Sequence, residues 1–368
     1  MDFSIDPREA VGDEFRRIAA ELLETAIEHL RSSDPARLPV AVHEARKGCK
    51  RLRALLRLVR PALVDRRYRA LDAGVRDAAR ELSSTRDAQA LVDMFDALLL
   101  AHGVQPPDAA LVSVREGLAD RVSGPEWDDA GAAAALLRAS ERLEVAREAV
   151  AVTKLRLDGF KAVRGGAATT YRQGRHALGR LRREASSERS HEWRKAVKYT
   201  WHHLELLEGT APSVLRPAGV SFHQLSDALG DAHNLAVLTV LLEGSPARFG
   251  GPLAIEPVLR MAKASQAELE GRAIRLGVRL YAESPKAFAG RLHAYWRAER
   301  TVGSELPTGE LSDIADVRRP DAGDGQSGVD APGEVVVGAG ANELVDGEAL
   351  PTGSHEAGAR PVGDLELL

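Results

Sequence analysis

The sequence is poor in aromatic residues, which make up 4% of its 368 residues, and it contains a single cysteine and no long apolar run. A lone Cys49 excludes an intramolecular disulfide and fits a reducing setting, where a small buried side chain is a more economical role for it than a reactive thiol. No apolar stretch approaches the length of a membrane span, and the N-terminus lacks a secretion-signal pattern. We therefore expect a soluble, cytoplasmic protein.

The signatures of several enzyme classes are also missing. The sequence has no P-loop, no dinucleotide-binding glycine pattern and no H-E-x-x-H motif. No group of carboxylates and histidines has convincing metal spacing, and the adjacent His202 and His203 would diverge by about 100° on a helix. No nucleophile with a partner base is evident. We expect no enzymatic activity, no cofactor and no metal.

Strand-like alternation is nearly absent, so the fold class follows from what remains. Alanine, leucine, arginine and glutamate dominate, and apolar residues recur at three and four positions. This pattern predicts an all-α fold with about four helices in each half, which suits two helical bundles. The predicted helices cover 6–30, 39–59, 66–102, 108–156 with an interruption at 123–125, 160–178, 191–207, 215–242, 255–282 and 285–300, with further breaks at 32–35 and 106–107.

A duplicated motif organises the chain. The pattern H-E-x-R-K-x-x-K begins at His43 and again at His191, an offset of 148 residues. Downstream, 82–87 aligns with 229–234 at an offset of 147. Two matching offsets predict two halves of like fold, which we place at 1–157 and 158–300.

On a helix, the motif puts cations on one face and apolar residues on the other. The cationic sets are His43, Arg46, Lys47, Lys50, Arg53 and Arg57 in the first copy, and His191, Arg194, Lys195, Lys198 and His202 in the second. The first row is about 20 Å long, which suits an extended polyanion. Arginine forks, lysine point charges and histidine donors all bind phosphate oxygens. A solvated face is the alternative for one copy alone, but histidine at the same helical phase in both copies is an unusual choice for solubility.

Two further sets of cations recur at helical spacing, and together they could form the wall of a basic cavity between the bundles. For each set alone, a solvated face remains the alternative. The sets are Arg172 with Arg175, and Arg272 with Arg275 and Arg279.

The composition changes after residue 300. Residues 301–368 hold 14 acidic and 3 basic side chains, a net charge of -11, whereas residues 1–300 carry a net charge of +7. Glycine, proline and scattered acids with no helical stripe predict a disordered tail. The tail could be a solvating appendage or an acidic pseudo-ligand that folds back on the basic helices.

These segments resemble the CHAD family, the conserved histidine α-helical domain. The resemblance covers most of 1–300: it lies in 42–61 and 193–207, in 82–91 and 229–238, and in Y-R-Q-G-R at 171–175 and R-L-Y-A-E at 279–283. It implies two pseudo-symmetric four-helix halves whose basic residues face a shared cavity or surface that binds inorganic polyphosphate. By motif position, that role falls to His43, Arg46, Lys47, Lys50 and Arg53, and to His191, Arg194, Lys195 and Lys198.

Family members often also carry a triphosphatase-type CYTH domain. This sequence shows no N-terminal E-x-E-x-K pattern, so we expect a stand-alone CHAD protein. It departs from the family at Trp201, where many members have arginine, and at Asn234, where aspartate is common. Gly48 inside a helix costs about 1 kcal/mol relative to alanine and requires a packing reason.

The sequence thus predicts a non-enzymatic polyphosphate binder, in the cytoplasm or at polyphosphate granules. Binding should weaken with salt and, where the histidines contact phosphate, strengthen as the pH falls toward 6. The alternatives are a nucleic-acid or nucleoprotein-associated module, which is disfavoured because base stacking needs exposed aromatics, and a phosphohydrolase or granule scaffold.

Overall fold

The structure, a computed structural model, describes residues 3–31, 38–82, 84–104, 108–122 and 129–305. Its regular elements in those ranges are helical, so the all-α prediction is confirmed. The α-helices are α1 (Val11–Arg31), α2 (Leu38–Val59), α3 (Asp65–Glu81), α4 (Ser84–Ala101), α5 (Ala109–Val122), α6 (Asp129–Ala151), α7 (Phe160–Arg183), α8 (Ser187–Leu206), α9 (Pro212–Gly244), α10 (Pro252–Leu280) and α11 (Pro285–Glu305).

The helices of each half form a bundle. In the first half, α1 packs on α2 and α6, and α3 closes the bundle against the same two helices. In the second half, α8 lies between α7 and α9, α10 packs on α9 and reaches α7, and α11 covers α7. The motif helices α2 and α8 therefore occupy matching positions, each next to the first helix of its half.

Two hydrophobic cores hold the bundles together, and each draws on both halves. The larger core joins α1, α2, α3 and α6 to α7, α8 and α11, with fully buried Phe15, Leu55 and Trp193 among its members. In the smaller core, α4 and α5 pack against the distal parts of α9 and α10 around Phe95 and Phe249. The α4–α5 hairpin thus packs against the other half of the chain.

The structure divides the helix that the sequence predicts over 66–102. Helix α3 ends at Glu81 and α4 begins at Ser84. The Leu82 carbonyl, which would accept the next bond of a continuous helix, instead accepts a hydrogen bond from Arg46 Nη1 at 3.2 Å. The corresponding stretch of the second half runs unbroken through α9.

The apolar face predicted for the first motif helix is confirmed: Leu52, Leu55, Leu56 and Val59 are buried. Cys49 is also buried, and burial raises the pKa of its thiol to about 12, which fits the predicted inert role. Gly48 has the packing reason that its position requires, because a Cβ there would lie 3.3 Å from the backbone oxygen of Leu22 in α1. Glycine lets α1 and α2 approach closely.

Several sequence-based expectations fall outside the described residues. These are the breaks at 32–35, 106–107 and 123–125, the side chains of 84–89 and the tail from 306 onward. The disorder predicted from residue 301 is wrong for 301–305, where α11 continues to Glu305, and from 306 onward it stays a prediction.

Candidate anion-binding site

The two motif helices cross each other, and their contacts run in opposite directions along the chain. Arg51 Nη2 lies 3.7 Å from Glu205 Oε1, and the guanidinium of Arg57 lies 4.2 Å from the centre of the Tyr199 ring. Between these two contacts, His203 Nε2 donates a hydrogen bond of 3.0 Å to the carbonyl of Ala54. Residue numbers that rise in α2 meet numbers that fall in α8, so the helices pack in antiparallel sense.

The internal repeat relates the two outer contacts of this crossing to each other. At an offset of 148, Arg51 corresponds to Tyr199 and Arg57 to Glu205, so each of the two outer contacts maps onto the other. The antiparallel helices α2 and α8 lie side by side in one layer. A twofold rotation that exchanges them must have its axis perpendicular to that layer. Such an axis keeps corresponding faces on the same side of the layer. The two motif copies therefore present corresponding faces to the same side of that layer.

The motif lysines are half-buried along the helices. Lys47 leaves 44% of its side chain exposed and lies 3.4 Å from Glu44, which also lies 3.7 Å from His43. Lys50, Lys195 and Lys198 are half-buried as well. In the second copy the glutamate has a different partner: Glu192 pairs with Arg180 of α7 at 2.6 Å. The lysines thus line the helices without projecting fully into solvent.

The motif arginines lie deeper than the helical phase alone predicts. Arg46 is 3% exposed and Arg194 is 1% exposed. Arg46 holds the end of α3 through the Leu82 carbonyl. Arg194 lies close enough to Asp231 of α9 to lower the pKa of that carboxyl, although burial outweighs it and raises the value to about 6. Both arginines connect a motif helix to the next helix of its own half.

The remaining motif cations on α2 have protein partners. Arg53 Nε donates to Asp72 of α3 at 3.0 Å, in a pair that is about 15% exposed. Arg57 is half-buried against Tyr199, as described above. These contacts brace α2 against α3 and α8.

The histidines of the second copy fall into two environments. His202 is buried, and its Nδ1 donates to Glu205 at 2.7 Å. Burial lowers the pKa of His202 in spite of that carboxylate, so the ring is neutral at pH 7 and faces the crossing. His191 is half-buried, with its ring 5.6 Å from that of His233 in α9. His191 therefore lies beside α9, at the end of α8 away from the crossing.

The other predicted cations lie on the surfaces of α7 and α10. Arg172 and Arg175 are exposed, and Arg175 donates to the carbonyl of Glu283 at 2.8 Å. Arg275 and Arg279 are exposed on α10, as is Arg272. The ends of the two helices meet where a Cβ on Gly277 would contact Leu178. The structure thus places these sets on neighbouring helices of the second half.

Sequence reasoning missed most of the basic face of α7. The 24 residues of this helix include seven lysines and arginines and no acid, and all seven are exposed. A count of charges per predicted helix would have revealed them. They are Lys161, Arg164, Arg172, Arg175, Arg180, Arg182 and Arg183.

The described ranges lack two features, a helix that could span a membrane and a cluster of side chains that could bind a metal ion. Among the helices of those ranges, none combines the length and the apolar character needed to cross a bilayer. The side chains of the same ranges form no group of three or more histidines, cysteines, aspartates or glutamates that could hold a metal ion.

The fold and the site define an all-α protein built from two repeats, each with a histidine-led basic helix at its centre. The chain belongs to the CHAD domain family, whose model matches residues 21–243. No curated protein matches it. A crystal structure of the CHAD domain from the plant Ricinus communis is similar, with 18% identity, 80% of this chain and 95% of that chain covered, and a TM-score of 0.47.

Proposed function

We propose that this protein binds inorganic polyphosphate, without catalysis, across the crossing of α2 and α8. The observation that carries the proposal is the pair of repeat-related contacts, Arg51 with Glu205 and Arg57 with Tyr199, because the symmetry between them relates the lysines of one motif copy to those of the other. These positions are also chemically distinct from the rest of the chain. Of its eight lysines, Lys47, Lys50, Lys195 and Lys198 fall in the two motif copies, while arginine serves most other sites.

The symmetry of the crossing matches the symmetry of the ligand. A linear polyphosphate has no direction, so two surfaces related by a twofold axis can make the same contacts to it. Lys47 and Lys195 lie about 11 Å from the centre of the crossing on opposite sides, at 1.5 Å per residue, so a ligand that bridges them must be extended. Phosphate oxygens along such a chain would meet the ammonium groups of Lys47 and Lys195, one in each motif copy.

Single-stranded nucleic acid is the rival ligand, and it fits less well. A strand with 5′ and 3′ ends meets the two halves in opposite orientations and cannot make equivalent contacts with both. Stacking on bases needs exposed aromatic faces. Trp201, next to His202 on α8, is already stacked on His202 and against His223, at centroid distances of 4.3 and 4.0 Å.

Titration with polyphosphate tests the proposal. The variant Lys47→Ala with Lys195→Ala removes one lysine from each copy, and both positions are half-buried, so the fold should be retained. We expect affinity to fall by about tenfold at 50 mM salt and by less at 300 mM, because fewer counterions are released. The buried Arg46 and Arg194 are unsuitable for this test, since their replacement would damage the fold.

The matched control is Arg115→Ala with Lys263→Ala, which changes the net charge equally. Both residues are on the surface, paired with Asp96 and Glu243, and they lie at the α4–α5 and α9–α10 end of the molecule. An equal loss of affinity in both double variants would mean that only net charge matters and would refute the site. Displacement of polyphosphate by RNA at equal charge concentration would favour the rival.

A further inference from the structure

The exposed face of α7 stands out electrostatically in the described part of the chain. Its seven cations extend over about 33 Å at 1.5 Å per residue. Among these seven cations, only Arg180 lies within salt-bridge distance of a carboxylate in the described ranges. Its partner is Glu192. A row of like charges this long repels itself and attracts an extended anion.

The packing of α11 fixes where the remaining chain leaves the fold. Phe288, near the start of α11, stacks on Tyr171 at 4.1 Å, while His293 and Trp296 pack on Phe160 at 4.9 and 5.8 Å. Helix α11 therefore runs antiparallel to α7. Its last residues, up to Glu305, extend beyond the N-terminal end of α7, where Lys161 and Arg164 lie.

The segment that follows has the complementary charge. Residues 306–368 contain 13 acidic and 3 basic side chains, a net charge of -10, and no lysine. Its 63 residues span up to about 200 Å when extended, several times the length of the α7 face. A segment joined so close to a surface is presented to it at high effective concentration.

We propose that the acidic segment 306–368 docks in cis on the basic face of α7 and competes there with polyphosphate that extends onto this face from the crossing of α2 and α8, both of which α7 contacts. The docking rests on the charges and on the exit point of α11. The competition rests in addition on the proposed function. The contact would be salt-sensitive because it is electrostatic and the α7 face is exposed.

Zero-length carbodiimide cross-linking of the full chain tests the docking. Lys161 is the sole lysine of α7 and the segment has none, so an amide bond between Lys161 and a carboxylate of 306–368 identifies the contact without ambiguity. We expect this product in the monomer at 20 mM salt and its loss at 500 mM. The exposed Lys263 of α10, which is 59% exposed and about 21 Å along its helix from Gly277, is the internal control and should not react with the segment.

A double variant of the full chain adds a second test of the docking. In this variant, Arg164→Glu and Arg183→Glu reverse two exposed charges of α7. The yield of the Lys161 cross-link should fall at least threefold, while the circular dichroism stays unchanged. Cross-links that form only between molecules, equal reaction at Lys161 and Lys263, or an unchanged yield in this variant would each overturn docking in cis.

The competition has its own readout. The test uses a full chain in which asparagine or glutamine replaces the 13 acids of 306–368. This chain should bind polyphosphate about fivefold more tightly at low salt. That factor is expected if the segment covers the α7 face in about four of five molecules of the parent protein. Unchanged affinity alongside a positive Lys161 cross-link would refute the competition and keep the docking. Absence of polyphosphate binding in both chains would refute the proposed function and leave the cross-link to decide the docking.

Discussion

Helices α1 and α7 hold the same place in the two halves, each packed against a motif helix, yet they carry opposite charge. Helix α1 has five acids and three arginines, and every arginine lies within 4 Å of a carboxylate: Arg16 pairs with Asp13, Arg17 with Glu14, and Arg31 with Glu144. Helix α7 has seven basic residues and no acid. The arginines of α1 are thus paired within their helix or with α6, whereas of the α7 cations only Arg180 has a carboxylate within 4 Å in the described ranges.

The contrast between α1 and α7 distinguishes the positions that both halves share from the positions that differ between them. Both halves keep a buried arginine at the fourth position of the motif, Arg46 and Arg194, and both keep apolar faces in the larger core. The outer faces of the first helices have diverged. The inner positions therefore maintain the fold, and the outer charges are available for function that differs between the halves.

The inner face of α7 packs so closely on α2 that a substitution there should change stability strongly. A Cβ on Gly166 would lie 2.0 Å from the carbonyl oxygen of Leu58 in α2, whereas a Cβ on Gly179 of the same helix would meet nothing within 4 Å. We expect Gly166→Ala to lower the free energy of unfolding by about 3 kcal/mol, because the backbone of α2 cannot yield as a side chain would. Urea denaturation measures the change.

Gly179→Ala is the matched control. It adds the same methyl group to an open position in the helix interior, so it should raise the free energy of unfolding by about 0.5–1 kcal/mol through helix propensity. Similar effects of both substitutions would show that α7 does not lie against the end of α2 as described.

A smaller effect follows from the different partners of the two buried arginines. Arg46 meets a backbone carbonyl, whereas Arg194 lies near Asp231. Burial, helped by the charge of Asp227, raises the pKa of Asp231 from 3.8 to about 6, so the folded protein holds this proton more tightly than the unfolded chain does. That contribution to stability is present in full below pH 3.8 and is lost as the pH rises through 6.

The variant Asp231→Asn tests this sign. At pH 7.5 it should raise the free energy of unfolding by about 1–2 kcal/mol, since it removes an unfavourable charge from a half-buried position. At pH 4 the variant and the parent chain should be equally stable. A loss of stability at pH 7.5 would mean that the ionised carboxylate is needed by Arg194.

The fold was accessible from the sequence because its determinants are local and repeated. The spacing of apolar residues predicted the helices, and the duplicated motif predicted that α2 and α8 hold matching places. The break between α3 and α4 could not be predicted in this way, because it depends on Arg46 reaching the Leu82 carbonyl across 36 residues. Tertiary contacts of this kind leave no periodic signal.

The candidate site was predicted less completely, for a related reason. The helical phase places Arg46 and Lys47 on the same face of α2. It does not determine how deeply each side chain is buried, because burial depends on the neighbouring helices. The same limit applies to His202, which shares the phase of Lys198 but faces Glu205 within the crossing. Five of the seven α7 cations were missed because, unlike Arg172 and Arg175, they belong to no motif. Direct contact of the remaining motif residues with polyphosphate stays a prediction.

One substitution on α7 would give it ion pairs like those of α1, with only a small effect on stability. Ala168 lies four residues from both Arg164 and Arg172 on the exposed face, so Ala168→Glu would create two ion pairs of the kind that α1 already has. We expect a gain of about 0.5 kcal/mol in the free energy of unfolding at low salt and none at 500 mM, because salt screens exposed pairs. The matched variant Ala168→Gln has a similar shape without the charge, so it should show neither the gain nor its salt dependence. If glutamate and glutamine behave alike, the cations of α7 do not repel one another in solution, and its contrast with α1 lies in composition alone.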